Sequence, residues 1–184
     1  MNFRRLLAYI IDVGLIIILL MFLRVIFPNQ YQQDLNNLND QHLRQEITYA
    51  EYINEYIIIN HNVDKSDFWF NIIGIILMIF SFNIIPLLNN GQTIGKKLFK
   101  LRIKKIDGNL NLEDLIKRSI IINGMGYMLV VIILAHMLSA FVYFHVITLI
   151  SIIQIVLIII SGIRICNNKK GIHDVLSGTE VINK

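Results

Sequence analysis

Two places in this sequence carry side-chain chemistry against an apolar background: Asp12, inside the first greasy run, and Gly91, Gln92, Thr93, Ile94, Gly95, Lys96 and Lys97, just after the second. Glycines, a threonine and a lysine this close are the parts of a phosphate-cradling loop, G-x-x-x-x-G-K-[ST]. Here, however, Gly91 and Gly95 are separated by three residues where the motif has four, and Lys97 stands where the magnesium-binding hydroxyl is required. The preceding run, ending at Leu88, reads as an apolar helix and not as the strand such a loop follows, so nucleotide binding is not expected. The alternative is interfacial. Ile94, Leu98, Phe99 and Leu101 alternate with lysines and Arg102. Such a segment lies along a membrane surface with its ammonium groups meeting anionic lipid headgroups, at about 1 kcal/mol per basic residue.

Asp12 poses a different problem. A carboxylate facing lipid at a helix centre costs about 2.5 to 3.5 kcal/mol on insertion scales, so Asp12 is expected to face protein. Arg5, seven residues earlier, lies roughly 10 Å along the helix and nearly on the same face. Side chains lean toward the helix N-terminus and Arg5 can reach water, so a partner from another helix or from the basic loop is expected instead. Ionisable groups at such depth often mark ion or proton paths, which makes Asp12 the candidate proton or cation site. Asn83, Asn123 and Gln154 are further polar positions in apolar runs, and His173-Asp174 with the Gly91–Lys97 loop would form a gate. The competing reading is a hydrogen-bond and salt-bridge cluster, anchored by Asp12, that only fixes packing.

Catalysis is not expected. His136 and His145 fall toward one end of the apolar runs and His173 toward the other, so they cannot gather with Asp12 into one metal site. His42 and His61 lie in a polar segment. Ser139, Ser151 and Ser161 have no histidine and carboxylate at a readable spacing and are expected to bond back to the backbone. The single cysteine, Cys166, rules out an intrachain disulfide and a cysteine-based zinc site. Neither a cofactor nor a metal is implied.

The elements that must position these groups follow from composition. Of 184 residues, 55% are hydrophobic and only 16% charged, where globular domains carry about a quarter. Lipid is the solvent that such a balance suits. From Ser119 to Ile163 there is no Asp, Glu, Lys or Arg, and a span needs only about 20 apolar residues, so this stretch must cross twice. The expected fold is an all-α membrane protein of one domain. Its four transmembrane helices fall at about residues 6–27, 67–88, 119–142 and 145–166, with a short turn near His145. The first is too long for a signal peptide, carries Asp12, and lacks a cleavage site before Pro28, so it is expected to stay in the mature chain.

Charge sets the orientation. Residues 28–66 hold Asp34, Asp40, Glu46, Glu51, Glu55 and Asp64 against Arg44 and Lys65, whereas residues 89–118 hold eight lysines and arginines. The positive-inside rule places that inner loop, the Arg4-Arg5 start and the tail 167–184, with Lys169, Lys170 and Lys184, in the cytoplasm. The formal net charge of +4 does not point to nucleic acid, because the charges segregate by segment between apolar runs. In the outer loop, Ile53, Tyr56 and Ile57 follow helical spacing, which predicts a helix on the outer surface with tyrosines at headgroup depth. In the inner loop, Asp107-Gly108 signals a turn, and Asn111 with Asp114 three residues later signals a helix start.

Three separated motifs, "RRLLAYIID" at the start, "GQTIGKKLFKLRI" through Asp107-Gly108, and "KKGIHDVLSGTEVI" at the end, resemble the RDD family of bacterial membrane proteins. That family is named for an arginine and two aspartates. The resemblance implies Arg5 and Asp12 for the first two and Asp174, in His173-Asp174, for the last. It implies a multi-pass protein of the bacterial cytoplasmic membrane for which transport has been suggested. The long outer loop departs from compact members.

The reading is thus a small multi-pass membrane protein with a transport-related role, linked to protons or cations. The alternative is a non-transporting accessory or scaffold that binds a membrane partner through its outer loop. Four helices make a thin wall for a pathway, so a homo-oligomer or a membrane-protein partner is expected beside the lipid bilayer.

Overall fold

The computed structural model describes residues 2–167 and 169–183; of the positions discussed above, Lys184 lies outside them. The first apolar run forms one unbroken helix, α1 (Asn2–Ile26), with Ile10, Phe22 and Val25 exposed around it. Such exposure suits a helix surrounded by lipid. The second run is α4 (Phe68–Ile79), a π-helical turn (Phe80–Ile84) and α5 (Ile85–Leu88). Pro86 has no N–H to offer the carbonyl four residues back. Just before it the ladder widens, and the Ile85 N–H reaches five residues back to Phe80.

The expected third span, 119–142, is corrected. A helix α7 (Leu112–Ile122) starts at the foreseen Asn111/Asp114 capping box. It ends at Asn123-Gly124, where Gly124 adopts φ +73°, and α8 (Met125–Met137) departs at 70° to it. Thirteen residues of α8 rise about 20 Å, short of a hydrocarbon core of about 30 Å, so α8 crosses only as part of this bent pair. The turn expected near His145 lies earlier, at Leu138 and Ser139, both in extended conformation. The fourth run is one long helix, α9 (Ala140–Cys166), with His145 inside it. Among the described residues, three helices are therefore long and apolar enough to cross a membrane, or four if the bent pair is one span.

The polar segment between the first two runs is itself folded. It contains α2 (Gln32–Leu43) and α3 (Tyr49–Ser66), the latter opened by a capping box between Thr48 and Glu51. The predicted helix through Ile53, Tyr56 and Ile57 is present, and it packs on α8 and α9. His61 Nε2 lies 2.9 Å from the Ala135 carbonyl, and the Tyr143 hydroxyl donates to Asp64 at 2.7 Å. Arg24 near the end of α1 forks onto Asp67, which also accepts from Asn29 at 2.6 Å.

At the opposite end the all-α expectation is corrected. After the short helix α6 (Ile94–Leu98), β1 (Leu101–Lys105) pairs antiparallel with β2 (Thr179–Asn183) in the tail, Ile103 opposite Val181. Between the strands, a one-turn helix α10 (Ile172–Leu176) follows α9. Alternation puts Leu101, Ile103 and Val181 inward, where they form a small core with Ala8 of α1 and Leu115 of α7. The basic loop is thus not simply laid on a membrane surface: half of it is a packed cap, and only residues such as Lys97 and Lys104 remain exposed. The start of the chain, the basic loop and the tail meet at this one end.

Gly91 hinges the loop. It has φ +80°, accepts from the Ile103 N–H at 2.7 Å, and leaves only 2.0 Å between an added Cβ and the Ile103 carbonyl oxygen. Gly91→Ala is expected to destabilise the protein by about 1 to 3 kcal/mol through strain and the forced separation of β1. Thermal melts in detergent would read this, and an unchanged midpoint would contradict the close approach.

Candidate functional site

Where α1, α6, α7 and α10 meet, the apolar interior gives way to ionised side chains. Asp12 lies on the inner face of α1, 6% exposed. Its Oδ1 accepts the Gly95 N–H at 2.7 Å and its Oδ2 the Thr93 hydroxyl, while the Lys96 ammonium stands 3.8 Å away. Asp12 therefore caps the first turn of α6 from outside. Thr93 Oγ1 in turn accepts from the Lys96 backbone N–H. This approach requires Gly95, whose added Cβ would sit 2.1 Å from the Ala8 carbonyl oxygen. Gln92, also buried, donates to the Leu101 carbonyl at 2.8 Å and ties the loop to β1.

Asp174 on α10 is fully buried and shared by two guanidiniums. Arg5 donates to its Oδ2 at 2.6 Å, and Arg118 of α7 donates to its Oδ1. Arg118 also donates to the Thr179 hydroxyl at 3.0 Å, so the pair reaches into β2. His173 packs beside it. The Ile172 N–H donates to Ser161 Oγ, which lets that hydroxyl donate to His173 Nδ1 at 2.8 Å. The Nε2–H tautomer follows from that network, with Nε2 3.6 Å from Asp174. Nearby, Ser119 donates to Asn83, whose buried Nδ2 has no partner among the described residues.

The electrostatics are lopsided. Among the described residues, Arg5, Lys96 and Arg118 face two carboxylates, Asp12 and Asp174, at hydrogen-bond or ion-pair range, which leaves one excess positive charge among these five buried groups. Burial, then the Arg118 guanidinium, push Lys96 down to about 8 despite Asp12. Burial pushes His173 down to about 3, with Arg118 adding to the shift, so the imidazole is neutral. Burial alone would raise Asp174, but Arg118 and Arg5 hold it well below the usual carboxylate range.

Beside the cluster is a cavity of about 360 Å³ walled by α1, α7, α9 and the inner face of the sheet. Arg5, Lys96, Arg118 and His173 line it, whereas Asp12 and Asp174 do not. Among the described residues, no three His, Cys, Asp or Glu side chains converge as metal ligands.

The structure thus brings together Arg5, Asp174 and His173 in one knot and Asp12, Thr93, Gly95 and Lys96 in the adjoining one. Arg5 and Asp12 do not pair with each other. Gly91 and Gln92 tie the loop to β1. Asn123 donates to Ser119 near the cavity, while Gln154 donates to the Ile121 carbonyl and stands apart from the ion pairs. Arg118 was legible only as one more basic residue of the loop, although its place immediately before the long charge-free run set it apart. Nothing in the sequence marked Ser161 or Thr179 as partners.

A family model described as the RDD family matches residues 2–178. No curated protein and no solved structure matches the chain.

Two outcomes follow from this geometry. Arg118→Met leaves Asp174 with half its neutralisation, and breaking a buried pair in this way is expected to cost about 3 kcal/mol; a loss within error of zero in denaturation would contradict the shared-carboxylate geometry. Unfolded, His173 takes up a proton near its ordinary 6.5, whereas folded it resists to about 3, so the unfolded state binds more protons between these values. Stability should therefore fall as pH drops below 6.5, by at most about 1.4 kcal/mol per pH unit from this group, and His173→Gln should flatten that slope. Melts from pH 7 to 4.5 would show it.

Proposed function

The chain belongs to the RDD family, and from that premise we propose that it is a multi-pass protein of the bacterial cytoplasmic membrane with a proton-linked, transport-related role. The gathering of its basic segments at one end supports placing that end, with both terminal regions, in the cytoplasm. The observation that carries the functional reading is the Lys96–Asp12 pair: an ammonium 3.8 Å from its carboxylate, buried, and facing a cavity.

Lys96 is the group poised to exchange its proton. When it is protonated the cluster holds one excess positive charge; when it is neutral, Asp12 keeps the Gly95 and Thr93 hydrogen bonds and the cluster balances. Proton loss and occupancy of the cavity by a charged species are then linked through one charge. A metal cation is a poor occupant, because the ionised groups lining the cavity are cationic. Asp12, first read as the exchanging site, serves as the counter-ion.

A second reading rests on the outer helices. The acidic side chains of Asp34, Asp40 and Glu55 are exposed on an ordered helical pair, a surface suited to a membrane-protein partner in an accessory or scaffold role. Deleting 34–62 would be a poor test of it, since His61 buttresses α8. Reversing those three charges preserves the packing.

Proton flux in proteoliposomes decides between the readings, with wild type, Lys96→Met and Asp12→Asn compared at matched thermal stability. Flux is expected in wild type and should fall at least about tenfold in Lys96→Met, equivalent to about 1.4 kcal/mol in the barrier. Equal flux in all three would sink the Lys96–Asp12 assignment, and no flux from a folded wild type would sink transport in favour of the outer surface.

A further inference from the structure

The cavity beside the ion cluster has two chemistries at once. One wall carries Arg5, Lys96 and Arg118; the others are apolar, among them Leu6, Phe82, Ile158 and Ile165. A polar ligand would leave the apolar walls unused, and an apolar one would leave three cations facing hydrocarbon. An amphipathic anion satisfies both.

Where the cavity opens narrows the choice further. Phe3 and Leu6 of α1 and Ile158 of α9 line it and are also exposed, at 71%, 52% and 39%. All three lie on helices long and apolar enough to cross a membrane. The exposed part of the lining is thus shared by two candidate spans, which points the opening toward acyl chains. About 360 Å³ is near the lower end of small-ligand pockets, roughly 300 to 1,000 Å³, which is room for a headgroup and the first carbons of a chain but not for a whole lipid. The chains must leave through the slot between α1 and α9.

We propose that this cavity is a binding site for the phosphate of an anionic phospholipid, held by Arg5, Lys96 and Arg118 with its acyl chains leaving between α1 and α9. The hydrogen bonds to Asp174 engage one terminal nitrogen of each guanidinium, and a guanidinium carries five N–H donors. Phosphate offers several acceptor oxygens at once, which matches three converging donors. Its charge also answers the excess positive charge of the cluster. This site is distinct from the surface lysines of the loop, such as Lys97 and Lys104, which meet headgroups from outside. The assignment rests on the cavity and not on transport, and its test reads binding and not flux, so the two readings fail separately.

Gly162 supplies the test. It lines the cavity from α9, and an added Cβ there meets nothing within 4 Å, so Gly162→Phe adds bulk at the cavity wall while leaving all three cations in the sequence. Ile158→Trp, a turn earlier on the same wall, is the second plug. Full-length protein in nanodiscs of phosphatidylcholine would be titrated with phosphatidylglycerol, following thermal stability and bound lipid by native mass spectrometry, with inorganic phosphate as a parallel arm. Phosphatidylglycerol is expected to raise the wild-type midpoint, to remain bound, and to bind about tenfold more weakly to either plugged variant. Equal binding to wild type and both plugs would assign the effect to the surface lysines and overturn the proposal. Equal stabilisation by inorganic phosphate would overturn the lipid as occupant, and no preference over phosphatidylcholine would overturn the anion site.

Discussion

Asp174 has almost no contact with water, and a carboxylate so placed persists only if its charge is answered on the spot. Arg5 and Arg118 answer it, one from the start of the chain and the other from the middle, while Asp174 itself belongs to the tail. One charge thereby fixes three remote segments at one end of the molecule. The sheet adjoins that closure, since β2 follows α10 after a two-residue turn and pairs with β1. The small core of Ala8, Leu101, Ile103, Leu115 and Val181 then fills beneath it.

A buried cluster of this kind specifies a structure more than it stabilises one, because desolvation offsets much of the Coulomb gain. Here its geometry selects which helix faces inward. α1 is apolar on most sides and has no strong amphipathic preference to orient it in lipid. Asp12 and Arg5 supply that preference by placing one face against α6 and the other residues in the membrane. Near the far end of the same helix, Arg24 repeats the device with Asp67, and its guanidinium also lies 4.0 Å from the Phe70 ring centre. A long apolar helix is thus pinned near both ends by charge and left free of it in between.

The pinning is uneven, and the unevenness is where function can enter. The far clamp pairs one arginine with one aspartate. Among the described residues, the near cluster sets three cations against two carboxylates and turns the cations toward a cavity. Burial lowers the proton affinity of the third cation, Lys96. That residual charge beside the cavity is the feature on which both the proton-linked proposal and the lipid-site proposal rest.

Much was legible from residue type alone. Long uncharged runs must be helices in lipid, where an unpaired backbone amide costs several kcal/mol, and this determined α1, α9 and the second span. Segregated charge marked which segments share an end, and an aspartate in an apolar helix announced an internal partner on another helix or in the basic loop, of which the loop supplies it. The bend at Asn123-Gly124 was not legible, because an uncharged run reads the same whether straight or broken and only Gly124's positive φ distinguishes them. The strands were hidden for a similar reason: each holds five residues and is stable only against the other, across a separation that local pattern does not span. Arg118, Ser161 and Thr179 became site residues through packing alone. Sequence by itself determined the solvent each segment prefers and the charges that had to be paired; tertiary structure decided which charge met which, because pairing depends on distances that exist only after the helices have packed.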